Sequence, residues 1–264
     1  MAGAGIEPFA VDGQPFAVDG QGERGRVGVL LSHGFTGSPY SMRPWAERLA
    51  AAGYTVRVPL LPGHGTRWQD LNTTSWQDWY AEIRRSYAEL DARCDAIVAG
   101  GLSMGGTQAL KLAEDVGPDG KLTGLLLVNP ALGTRRKDAK LAKYLAPVIP
   151  SRPGLSNDIA KPGVDEHAYD RTPLRGLVST MDMWSVVVAD LAKVTVPIVH
   201  YRSTVDHVVD AESGRLLHAG ATSTTIVEVP LPNSYHVATL DHDAELIFEH
   251  SLTFIAEHTR TAAP

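Results

Sequence analysis

Short apolar runs alternate along this chain with longer segments of helical periodicity. Residues 26–31, 54–58, 96–99, 122–128, 196–201 and 224–229 are runs rich in Val, Leu, Ile and Ala, as expected of strands buried on both faces of a parallel sheet. Between them, Trp76, Trp79, Tyr80, Ile83, Tyr87 and Leu90 recur on one face of an α-helix. Ser75, with Asp78 three residues on, forms a capping pattern at its start. The aromatic stripe predicts packing against a sheet rather than a ligand surface, because a helix laid on a sheet must bury such a face. A second helix is predicted over 104–116, stopped by Gly117-Pro118, and Phe248, Leu252 and Ile255 mark a third. The alternation predicts an α/β fold, with one mostly parallel sheet covered by helices on both faces.

One interval breaks the rhythm. From about 133 to 193 no strand of comparable quality appears, and a structureless loop of that length is rare inside a domain. The expected organisation is therefore a core of 21–132 and 194–264, interrupted by a cap or lid at 133–193. Residues 1–20 are expected to be a tail or edge strand. They carry a short repeat, PFAVDG at 8–13 and again at 15–20, with too few copies to build a repeat architecture.

The 264 residues suit one large domain or two small ones, and the single run of alternating strands and helices favours one sheet. Lys and Arg number 24 against 30 Asp and Glu, a net charge of −6, which disfavours a nucleic-acid partner. Cys94 is the single cysteine, so no internal disulfide is possible. No apolar run is long enough to cross a bilayer, and the N-terminus has neither the basic nor the apolar region of a signal peptide. A cytoplasmic protein is expected, monomer or homodimer.

Gly101-Leu-Ser-Met-Gly105 is a G-x-S-x-G motif directly after a predicted strand and before a predicted helix, the context in which a nucleophilic serine sits on a sharp turn. A dinucleotide fingerprint does not fit, because Leu102 and Ser103 stand where glycines are required. A serine hydroxyl needs a base, and the base needs an acid to hold its tautomer. Asp206 follows the 196–201 run, and His236 lies between the 224–229 run and the last helix, both at carboxyl ends of strands. Asp210 and Asp182 compete for the acid's role, while His207, His242 and His250 read as surface or structural histidines. The run 122–128 ends in Asn129-Pro130, with no acid. A tetrahedral intermediate also needs two backbone N–H donors, expected from Met104 and, in the loop His33-Gly-Phe-Thr-Gly37, from Phe35. His33 itself reads as a hydrogen-bonded structural residue. No metal site and no cofactor are expected: there is no H-E-x-x-H and no Walker loop, and Asp241-His242-Asp243 suits a helix start without an ion.

Taken together, His33-Gly-Phe-Thr-Gly-Ser38, Pro62-Gly-His-Gly65, Gly101-Leu-Ser-Met-Gly-Gly106, Asp206-His-Val-Val209 and Asn233-Ser-Tyr-His-Val-Ala-Thr-Leu-Asp241 resemble the bacterial monoacylglycerol lipases, close relatives of thermostable bacterial carboxylesterases in the α/β-hydrolase superfamily. The resemblance runs from about residue 22 to 256. It implies Ser103 as nucleophile, Asp206 as acid, His236 as base, and Phe35 and Met104 as oxyanion donors. It further implies that the segment from Asp158 to Pro173 belongs to the cap, where Glu166 matches an acid that hydrogen-bonds the glycerol hydroxyls.

The expected activity is hydrolysis of a monoacylglycerol to fatty acid and glycerol through an acyl-enzyme. The alternatives are a general carboxylesterase or thioesterase, or a ligand receptor on a hydrolase scaffold. Activity is expected to fall below roughly pH 6.5 if His236 titrates normally. The basic run Arg135-Arg-Lys-Asp-Ala-Lys-Leu-Ala-Lys143 reads as a solvated helix face, or more weakly as a patch giving transient contact with a lipid surface. Leu141, Leu145, Val148, Ile149, Leu155, Ile159, Leu177, Met181 and Trp184 suffice to line an acyl tunnel, though the pattern does not say which face inward.

Overall fold

The computed structural model describes residues 13–136, 139 and 141–259. Its strands are β1 (Phe16–Val18), β2 (Val27–Ser32), β3 (Thr55–Val58), β4 (Ala96–Leu102), β5 (Leu122–Val128), β6 (Ser151–Pro153), β7 (Arg171–Pro173), β8 (Ile198–Ser203) and β9 (Ile226–Leu231). Its α-helices are α1 (Arg43–Ala51), α2 (Trp68–Leu71), α3 (Trp76–Asp91), α4 (Met104–Val116), α5 (Ala142–Leu145), α6 (Leu174–Asp190), α7 (Ala211–Gly220) and α8 (Ala244–His258). Seven strands form one sheet in the order β1-β3-β2-β4-β5-β8-β9, parallel except for β1. The second PFAVDG copy supplies β1, antiparallel to β3. Most of the first copy, residues 8–12, lies outside the described residues.

Successive residues of the central strands feed opposite cores, as a two-residue side-chain period requires. Leu30, Ile97, Leu125 and Leu127 face α3, α4 and α6, whereas Val29, Leu31, Val98 and Leu126 face α1 and α8. The aromatic stripe of α3 is core: Trp79, Tyr80, Ile83 and Leu90 are buried. The Asp78 carboxylate accepts from both the backbone N–H and the hydroxyl of Ser75, fastening the start of that helix.

Differences from the expected boundaries have local causes. β4 runs to Leu102 rather than stopping near Ala99, because Gly100 and Gly101 stay in register with both β2 and β5. β8 begins only at Ile198, after Pro197, which has no N–H to donate. β9 extends to Leu231 through Pro230, tolerated on a strand at the sheet edge. α1 and α7 escaped the periodicity reading because each buries few large side chains. The segment 133–193 holds a two-stranded antiparallel pair, β6–β7, and the helices α5 and α6. Met183 and Val187, in the second half of α6, join the same core as α3 and α4.

Candidate active site

β4 lies inside the sheet and delivers Ser103 at its carboxyl end, where the chain turns at once into α4. Ser103 has φ 56° and ψ −116°, a conformation that L-residues seldom adopt and that costs on the order of 1–3 kcal/mol. The surroundings hold it there: its N–H donates to the Val128 carbonyl at 2.9 Å, and its carbonyl accepts from Ala131 at 3.2 Å. The flanking glycines make the turn sterically possible. A Cβ on Gly105 would lie 2.0 Å from the Ser32 carbonyl oxygen, and one on Gly101 would lie 2.4 Å from the Gly105 carbonyl carbon.

β8 and β9 present Asp206 and His236 on the loops that follow them. Asp206 Oδ2 accepts from His236 Nδ1 at 2.8 Å, and Oδ1 accepts the N–H groups of Val208 and Val209 at 2.8 and 2.7 Å. Burial by itself raises the Asp206 carboxyl, but the His236 charge and these donors together bring it below its usual value. Burial likewise lowers His236, and the negative charge and hydrogen bond of Asp206, aided by Glu166 and Asp158, more than reverse this and raise it above 6.5. The unperturbed value of 6.5 that the sequence suggested for His236 is therefore corrected upward.

Of the three competing carboxylates, Asp206 is the one joined to His236. Asp210 instead caps α7, accepting from the Glu212 N–H at 3.0 Å and from Thr134 Oγ1 at 2.7 Å, and Asp182 is exposed on α6. With Nδ1 taken, Nε2 is the ring nitrogen left for Ser103. The two residues line one cavity, and no hydrogen bond joins them among the described residues. Such bonds commonly tighten only around substrate.

That cavity has a volume of about 470 Å3 and is bordered by Ser103, Met104, Phe35, His236 and Glu166. Neither the Phe35 nor the Met104 N–H finds an acceptor among the described residues; Met104 is the first residue of α4, where no intrahelical acceptor exists. Glu166 is tied to Asn157 reciprocally: Oε1 accepts the Asn157 N–H at 2.7 Å, and the Glu166 N–H donates to Asn157 Oδ1 at 2.9 Å. Burial raises its carboxyl. From the predicted acyl lining, Leu155, Leu177 and Trp184 border the cavity, Leu155 while 57% exposed; Leu141, Leu145, Val148 and Ile149 are exposed and do not border it, nor does Met181, and Ile159 packs on the core. Within the basic run, Lys137, Asp138 and Lys140 lie outside the described residues; Arg135 pairs with Glu212 at 2.8 Å, and Arg136 borders the cavity.

His33 is fully buried, donating from Nδ1 to the Gly34 carbonyl at 3.0 Å and accepting the Leu61 N–H on Nε2 at 3.3 Å. Burial lowers it to about 4, so it is a neutral strut of the Phe35 loop. Asp241 and Asp243 use their carboxylates on backbone N–H groups of Ala160, Lys161, Tyr235 and Asn233. Two further residues matter that sequence reasoning missed. Asp158 accepts the His236 N–H at 3.2 Å and engages His207 through both its N–H, at 3.1 Å, and its ring, at 2.7 Å. Asn129, at φ 44°, donates to the His236 carbonyl at 2.8 Å and to Ser203 Oγ at 2.9 Å, and accepts the Ser203 N–H at 2.8 Å. The only available signal was the polar Asn placed where a strand closes.

The sequence and the fold have known relatives. Residues 29–249 match the model of the alpha/beta hydrolase family. The chain is 40% identical to the thermostable monoacylglycerol lipase of Bacillus sp. (strain H-257), over 97% of this chain and 96% of that protein. It is 25% identical to a carboxylesterase of Bacillus subtilis (strain 168), over 88% of this chain and 93% of that one. A solved structure of the metagenome-derived lipolytic enzymes LipS and LipT superposes with a TM-score of 0.88 at 38% identity, covering 94% of this chain and 99% of the other.

Proposed function

The chain belongs to the alpha/beta hydrolase family, and from that premise we propose that it is a serine hydrolase that splits a monoacylglycerol into fatty acid and glycerol. The observation that carries the reading is the 2.8 Å pair of His236 Nδ1 and Asp206, set on the same cavity as a serine held at positive φ. Ser103 Oγ attacks the ester carbonyl as His236 Nε2 takes its proton, and the Asp206 carboxylate stabilises the resulting imidazolium. The unengaged N–H groups of Phe35 and Met104 receive the negative charge that develops on the carbonyl oxygen. His236 returns the proton to the departing glycerol oxygen, leaving the acyl group on Ser103. Water then gives a proton to His236 and attacks the acyl-enzyme carbonyl, and His236 passes that proton to Ser103 Oγ as the acyl–oxygen bond breaks and the fatty acid leaves. Each of these steps is carried by side chains and backbone of this chain.

Segment 133–193 acts as the cap, anchored to the core by the second half of α6. Its Leu155, Leu177 and Trp184 contact the acyl chain, and Glu166 accepts from the glycerol hydroxyls. Extra acyl chains lack those hydroxyls, so di- and triacylglycerols are poor substrates. The outward face of α5 and its flank, with Leu141, Tyr144 and Val148 exposed beside Lys143, meets the lipid surface transiently. Reversing the charge at Arg135, Arg136 and Lys140 weakens vesicle binding and turnover of dispersed lipid; unchanged values on both count against that contact.

The deciding measurement is multiple-turnover release of fatty acid from monoacylglycerol, lost in Ser103→Ala. The 25% identity to a carboxylesterase favours a broader ester specificity as the second reading. Glu166→Ala separates the two: it lowers kcat/KM for monoacylglycerol at least about tenfold more than for an aryl ester, whereas equal losses identify the generalist.

A further inference from the structure

Away from the cavity, three side chains from three elements converge. His200 on β8 and Glu228 on β9 are direct cross-strand partners, and His218 reaches them from α7. His200 Nδ1 lies 3.4 Å from His218 Nε2 and 3.6 Å from Glu228 Oε2, and His218 Nε2 lies 3.3 Å from that same oxygen. These three atoms form a nearly equilateral triangle. Ligand atoms held at about 2.1 Å by a tetrahedral zinc ion are about 3.4 Å apart, so the triangle has the size of one face of such a site. Arg202 Nε donates to Glu228 Oε1 at 2.9 Å, fixing the carboxylate with Oε2 left to the two imidazoles.

The ligands differ in exposure in a way that suits uptake. The His200 side chain is 2% exposed and fixed within the sheet, whereas His218 and Glu228 are 41% and 35% exposed, which provides an entry path and room for a water as fourth ligand. Two imidazoles with one carboxylate select a borderline transition metal over Mg2+ or Ca2+, which prefer oxygen donors throughout. Nothing in the linear sequence marks this set, because His200, His218 and Glu228 come from separate elements with no motif spacing.

We propose that His200, His218 and Glu228 form a structural binding site for a divalent transition-metal ion of the zinc type, which staples α7 to β8 and β9. These are the two strands whose following loops carry Asp206 and His236, so an ion there braces the frame of the site without touching substrate.

The test uses the untagged, metal-stripped full chain titrated calorimetrically with Zn2+ alone, and in parallel with Mg2+. One saturable Zn2+ site is expected, with no Mg2+ uptake. His218→Ala and Glu228→Gln each weaken Zn2+ binding at least about tenfold, and both positions are partly exposed, so the fold should tolerate them. At a hundredfold excess of Zn2+ over its Kd the wild type gains several degrees in Tm, and His218→Ala gains none. Absence of saturable Zn2+ uptake by the wild type overturns the proposal, as does uptake undiminished in both variants.

Discussion

Asp158, within the inserted segment, accepts the backbone N–H of His236 from 78 residues away, while its other oxygen holds the ring of His207, the residue after Asp206. One carboxylate thus joins the insertion to both loops on which the proposed acid and base stand, and its charge adds to that of Asp206 and Glu166 in raising His236.

The pH profile follows from that arrangement. The base must be neutral to take the serine proton, and its charged form is favoured in the folded protein. The acid limb of kcat/KM therefore lies above pH 6.5 in the wild type. Asp158→Asn and Glu166→Gln each remove a negative charge and move that limb to lower pH. Initial rates from pH 5 to 9 on a soluble ester read the shift directly, and an acid limb unmoved in both variants refutes the electrostatic account.

Asn129→Ala removes three buried hydrogen bonds around Ser203 and the His236 carbonyl, and places alanine at φ 44°. A loss of about 2–4 kcal/mol in unfolding free energy is expected, with a fall in kcat. Asn129→Gly loses the same three bonds but adopts φ 44° without strain, so its difference from Asn129→Ala in a denaturant titration isolates the conformational cost from the lost bonds.

Gly105→Ala puts a methyl group 2.0 Å from the Ser32 carbonyl oxygen, a contact that only backbone movement at the junction of β4 and α4 relieves. Hydrolysis is expected to drop by at least about a hundredfold, because the displaced elements carry both Ser103 and the Met104 N–H. Thermal melts alongside kinetics show whether the junction or the whole domain gives way.

Glu114, on the buried side of α4, has no hydrogen-bond partner for either carboxylate oxygen among the described residues, and Lys111 Nζ stands at 3.6 Å. Burial raises it to about 8 despite that lysine. The unfolded chain gives up this proton from about pH 4.5, and the folded chain holds it to about 8, so this group makes stability fall across that interval as pH rises. Glu114→Gln abolishes the dependence. Its advantage over the wild type is expected to be negligible near pH 4.5 and on the order of 3 kcal/mol at pH 8, measured by calorimetric unfolding at both values.

The sheet, the stripe of α3 and the Ser103 turn were legible because each follows from local pattern: apolar runs, helical spacing and glycines where Cβ atoms collide. Asp206 was separable from Asp210 by position alone, since one follows the strand closely and the other begins a helix. What stayed hidden depends on contacts between distant segments. Asp158, Asn129 and the cluster of His200, His218 and Glu228 have no meaning until the sheet aligns them, and a polar residue at a strand end reads the same whether it faces water or bridges two loops. The inside and outside of the insertion were equally unreadable, because Leu177 and Val148 are both apolar, and only the fold turns one to the cavity and the other to solvent.

Strand order also sets a sequence of events. Ser103 rides on β4, inside the sheet, whereas Asp206 and His236 arrive on β8 and β9, at one flank and late in the chain. A polypeptide leaving the ribosome thus carries an unarmed alcohol while the 133 residues from Ser103 to His236 are added, and gains its proposed reactivity only when β9 docks. Recovery of ester cleavage during refolding would accordingly clock the closure of that flank.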